Sequence, residues 1–104
     1  MGVLAELQSW YESQCDEDWE HQYGVVIESL DNPGWWVKID LTGTELEGAQ
    51  FDEISDLAPE RDWMRCWLED GKFQGAGGPR MLERILEIFL SWAKGEAGEH
   101  HGAL

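Results

Sequence analysis

The chain has 104 residues, 22 acidic against 7 basic, for a formal net charge of −15. That length suits one domain able to bury its own core without a disulfide staple or structural metal, and the charge excludes a bare phosphate backbone as a direct partner. The asymmetry is sharper than the total: residues 1–60 hold 15 acids and one base, Lys38, net −14, while residues 61–104 hold 7 acids and 6 bases, net −1. Such a field attracts and steers a basic protein. An acidic, soluble surface with no partner accounts for the composition equally well.

Val3, Leu4, Leu7, Trp10 and Tyr11 fall at helical spacing and predict an amphipathic helix over about 3–14. An acidic knot follows, Asp16-Glu17-Asp18-Trp19-Glu20-His21. Carboxylates at the C-terminus of a helix oppose its dipole, so their placement argues for a use outside the fold. Gly24 opens a strand, Val25 to Leu30, and Asp31-Asn32-Pro33-Gly34 has the chemistry of a turn. The next strand alternates: Trp35, Val37, Ile39 and Leu41 form the core face, with Trp36, Lys38 and Asp40 on the wetter one.

Thr42-Gly43-Thr44 reads as a turn or bulge, and Glu45-Leu46-Glu47 as an edge strand guarded by carboxylates. Phe51, Ile54 and Leu57 suit one helical turn or the anchors of a surface loop, closed by Pro59 and Glu60. Asp62 to Glu69 reads as a central strand with apolar bulk on both faces. Asp70-Gly71 is the strongest hairpin signal, leading into Lys72-Phe73-Gln74. The run Gly75-Ala76-Gly77-Gly78 then reads as a tight connection needing positive φ, with Pro79 as the first residue of a helix. Leu82, Ile85, Leu86, Phe89, Trp92 and Ala93 form that helix's apolar face, and Gly95 is its stop signal.

The expected fold is therefore α+β in two layers: an antiparallel sheet of four to five strands with the N-terminal and C-terminal helices on one face. Residues 1–94 form a single domain and 95–104 a disordered tail. Met1 to Tyr11 shows no signal peptide, and no apolar stretch approaches the roughly 20 residues of a membrane span. Cys15 and Cys66 make no Cys-x-x-Cys motif. A cytoplasmic protein with reduced, buried thiols is the expectation.

Chemistry is sparse. The glycine run lacks the Lys-Ser/Thr of a phosphate loop. Cys15, Glu20, His21, His100 and His101 match no zinc spacing, and the alternating acids lack the glycine and final glutamate of a calcium loop. No nucleophile motif is recognisable, and paired carboxylates without long loops to wall a pocket make a poor glycosidase. Neither catalytic nor metal residues nor a cofactor are assigned, and the chain reads as no enzyme. Tryptophan is enriched at binding hot spots, which makes Trp19 and Trp36 candidate anchors. The same aromatics would serve a carbohydrate- or peptide-binding module, the competing reading.

The ordered set Trp10-Tyr11, Cys15-Asp16, Asp18-Trp19-Glu20-His21, Tyr23-Gly24, Leu30-Asp31-Asn32-Pro33-Gly34-Trp35 and Lys38-Ile39-Asp40-Leu41 resembles the immunity 53 family of bacterial polymorphic toxin systems. Trp63, Cys66, Gly75-Ala76-Gly77-Gly78-Pro79 and the final helix extend the resemblance over about residues 4–93. It implies a small cytoplasmic protein, encoded beside a toxin, that binds and neutralises it, and it implies no catalytic residues. Joined to the charge, this makes the expected partner a basic toxin, such as a nuclease. The expected contact residues are Asp16, Glu17, Asp18, Trp19, Glu20, Trp36, Glu45, Glu47, Asp52 and Glu53. Neither the oligomeric state nor the toxin's identity is legible.

Overall fold

The computed structural model describes residues 2–56 and 62–102, with side chains described as far as Gly95. In chain order the elements are α1 (Val3–Gln14), the single turn α2 (Trp19–Gln22), β1 (Val25–Leu30), β2 (Gly34–Asp40), β3 (Ile54–Asp56), β4 (Met64–Glu69), β5 (Lys72–Gly77) and α3 (Leu82–Gly102). The strands make one antiparallel sheet in the order β1-β2-β5-β4-β3. Helices α1 and α3 lie on one face of it, so the expected α+β architecture holds.

Local sequence accounts for both tight hairpins. Leu30 pairs with Gly34 across Asp31-Asn32-Pro33, and Glu69 pairs with Lys72 across Asp70-Gly71. Asp70 and Gly71 both take positive φ, 56° and 73°, as a two-residue hairpin turn requires. Alternation along β2 sends Val37 and Ile39 into full burial, with Leu41 just beyond the strand also buried. They meet Cys66 of β4, Phe73 of β5 and Ile85 and Phe89 of α3 in one core. Burial pushes the Cys66 thiol up to about 12, with Arg84 pulling weakly the other way. Both cysteines are free, but only Cys66 is buried; Cys15, at the end of α1, is partly exposed, against the expectation of two buried thiols.

The glycine-rich run is not a connection. Gly75, Ala76 and Gly77 belong to β5, the central strand, and the positive-φ glycines are Gly43, Gly48 and Gly71. The physical reason is space. A Cβ on Gly75 would run into Cγ2 of Ile85, and one on Gly77 would stand 2.9 Å from Cβ of Met81. Side chains are missing there so that α3 can approach the sheet closely. The helix itself begins at Leu82, after a turn at Pro79–Arg80 in which the Met81 N–H donates to the Gly78 carbonyl at 3.0 Å. Pro79 is thus outside the helix, and α3 continues past Gly95 to Gly102.

Glu45-Leu46-Glu47 forms turns rather than a strand. Thr44 decides this: its hydroxyl donates to the Leu41 carbonyl at 2.7 Å and accepts from the Leu46 N–H at 3.0 Å, curling the chain and burying Leu46 completely. Ile54 opens β3, and Phe51 packs edge-on against Phe73 and Trp92. Leu57, Pro59 and Glu60 lie outside the described residues.

Candidate partner-binding surfaces

The acidic knot folds around its own carboxylates. Oδ1 of Asp16 accepts the N–H groups of Asp18 and Trp19 at 3.0 and 2.9 Å, and the Glu20 carboxylate accepts those of Asp16 and Glu17, both at 2.9 Å. The Asp18 and Trp19 amides stand at the start of α2, where the Asp16 carboxylate is a favourable neighbour, while Glu20 reaches back from α2 to the amides of the turn before it. The hydrogen bonds hold the Asp16 carboxyl below the usual carboxylate range, the Trp19 amide first among them. The expected cost to α1 is therefore offset locally for Asp16 and Glu20. Glu17 is different. It takes φ 74° without being glycine, a conformation that costs on the order of 1–2 kcal/mol.

Trp19 is not a surface anchor. It is 5% exposed, its indole N–H donates to the Thr42 carbonyl at 2.8 Å, and its ring lies among Trp10, Tyr11 and Tyr23. It pins the knot to the loop after β2. Trp10 does the same from α1, donating to Glu45 at 3.0 Å, and Gln14 reaches the same carboxylate at 3.1 Å. Glu47 accepts the Gly43 N–H at 3.1 Å. Six expected contact residues, Asp16, Glu17, Asp18, Glu20, Glu45 and Glu47, consequently gather at one end of the sheet. Asp40, Glu69 and Asp70 arrive there too, because β2 ends, and β4 turns into β5, at the same end. Lys72 reaches this end from β5, and it pairs with Asp40 at 3.2 Å.

Trp36, Asp52 and Glu53 lie elsewhere. Trp36 is half-buried on the sheet face opposite α1 and α3, with its N–H on Gln74 at 3.2 Å and the Lys38 ammonium 4.5 Å from its ring centre. Trp67 repeats the arrangement under Arg65 at 4.3 Å, donating to Glu69. Among the described residues no helix covers this face. Its cations are paired with neighbouring acids, Lys38 with Glu28 at 3.4 Å and Arg65 with Glu53 at 2.8 Å. One face of each ring is already covered by a cation, which leaves less room for a stacked sugar. Asp52 precedes β3, at the sheet edge remote from β1.

The tryptophans share one logic that the sequence reading missed. Among the described residues, Trp10, Trp19, Trp35, Trp36, Trp67 and Trp92 each donate an indole N–H to another part of the chain. Three of those acceptors are carbonyls of Thr42, Pro79 and Gln50 in connecting segments. An apolar body with one polar tip suits fastening loops to a core. Nor did sequence reading mark β1 as exposed, although Val26 is 50% and Ile27 37% exposed. Among the described residues no group of three or more His, Cys, Asp or Glu side chains converges to hold a metal, and no helix is long and apolar enough to cross a membrane.

Residues 4–94 match the family model described as Immunity protein 53. Neither the curated proteins nor the solved structures provide a match. The family match spans most of the chain, which therefore belongs to the Immunity protein 53 family.

Proposed function

We propose that this immunity-family chain neutralises a cognate polymorphic toxin in the cytoplasm by binding and occluding it, without catalysing a reaction. The family match over residues 4–94 carries the reading. The gathering of Asp16, Glu17, Asp18, Glu20, Glu45 and Glu47 at one end of the sheet supports the further statement that the toxin is basic, a nuclease being one such protein. Long-range attraction of this kind acts mainly on association rate and salt dependence. The strained backbone at Glu17 supports a working role for the knot, since such strain clusters at functional sites.

Co-expression tests the reading directly. The chain rescues growth of cells producing the toxin encoded beside it, and the purified pair binds with an association rate that falls as salt rises. Absence of both binding and rescue would sink the proposal. Glu17→Gly sharpens it: relieving positive φ stabilises the fold by roughly 0.5–1 kcal/mol, while removing a rim charge slows association. A variant that is stabilised yet associates at the wild-type rate removes Glu17 from the interface.

A further inference from the structure

We infer that the free edge of β1 is a second part of the toxin-binding surface, taking an extended segment of the toxin as a sixth strand of the sheet. The inference rests on the neutralisation reading above. Among the described residues β1 pairs only with β2. The Asp40 N–H donates to the Gly24 carbonyl at 3.0 Å, with the Gly24 N–H returned to Oδ2 of Asp40 at 2.9 Å, so Gly24 and Asp40 stand at a hydrogen-bonded position, and such positions alternate along an antiparallel ladder. Val26, Glu28 and Leu30 therefore turn their amides toward β2, whereas Val25, Ile27 and Ser29 turn theirs outward. That outward row of donors and acceptors is a template for another strand.

The side chains around this edge are apolar. Among the described residues the exposed large hydrophobic ones are Leu4, Tyr11, Val26 and Ile27, which lie on α1 or β1. Leu7, Gln8 and Tyr11 of α1 join Gly24 and Val25 in lining a cleft of about 340 Å³ beside the start of β1, and Leu4 continues the same helix stripe one turn earlier. An added strand would drop alternate apolar side chains into this cleft. On its other face it would lie beside Val26 and the Glu28 carboxylate, which suits polar or basic residues. A second copy of this chain fits less well, because two molecules of net charge −15 repel. A basic toxin is attracted to the same region, since the knot that begins at Asp16 leads directly into β1.

The test follows amide hydrogen exchange and affinity with the purified toxin domain encoded beside this chain. In the free protein the amides of Val26, Glu28 and Leu30 are protected and those of Val25, Ile27 and Ser29 exchange quickly. Complex formation protects the second set. Ile27→Pro, which deletes an outward donor and leaves the β1–β2 ladder its bonds, lowers affinity at least tenfold with melting little changed. Ser29→Pro gives the same result at a second position should Ile27→Pro fold poorly. Wild-type binding with unchanged exchange at Val25, Ile27 and Ser29 overturns the edge proposal and leaves neutralisation standing. Failure of the wild type to bind overturns both. Protection of those amides in a dimer of the chain alone assigns the edge to a second copy and overturns the toxin assignment.

Discussion

Strands β5 and β1 belong to the same sheet and are separated only by β2, yet they are built for opposite ends. In β5, Phe73 is fully buried and Gly75 and Gly77 lack side chains, so that α3 closes down on the strand. In β1, Val26 and Ile27 keep their branched side chains and leave them half in water. Space at the centre was removed to complete a core; apolar surface at the edge was left uncovered. Stability should therefore concentrate in β5, and binding capacity in β1.

Three substitutions break or sharpen that contrast. Phe73→Ala should cost about 3–5 kcal/mol, because the ring packs against Phe51, Phe89 and Trp92 at once; a loss below 1 kcal/mol in urea denaturation would deny β5 its central place. Gly75→Ala should cost about 1–3 kcal/mol through overpacking, since its Cβ meets Ile85. Insertion of that methyl without loss would mean that α3 sits farther from the sheet. Val26→Thr in β1 should stay within about 0.5 kcal/mol, and a large loss there would show that the edge is covered.

The smallest effect concerns pH. Asp16 has its folded carboxyl depressed by the amides it accepts, so its contribution is present above the unfolded carboxylate range and fades as pH falls through the folded value. Asp16→Asn should accordingly be less stable than the wild type near neutrality, with the gap closing in acid. Urea midpoints measured across that range check the sign, and a gap that widened in acid would contradict it.

Helix and hairpin signals proved legible because each is written in neighbouring residues. Helix α1 was expected over 3–14 and occupies Val3–Gln14; Asp70-Gly71 turned as its residue types require. The misreadings share a cause. Gly75 and Gly77 carry no label saying whether glycine serves a turn or a close approach, and only Ile85 and Met81, brought over by α3, decide it. Trp19 looked exposed because four acids flank it in sequence; its ring is covered by Trp10, Tyr11 and Tyr23, which the folded chain supplies. The knot seemed misplaced at the end of α1 because the turn into α2, whose amides at residues 16–19 donate to Asp16 and Glu20, was not foreseen.

By itself, then, the sequence determined the charge imbalance, most of the strands and helices, the hairpins and the α+β class. All are properties of composition or of short runs, governed by local periodicity and turn conformation. Only the tertiary structure decided the strand order, hence which strand is an open edge, which glycines receive a helix, and which carboxylates gather at one end. Those outcomes depend on contacts between residues far apart in the chain, where many pairings satisfy the same local pattern and close packing selects among them.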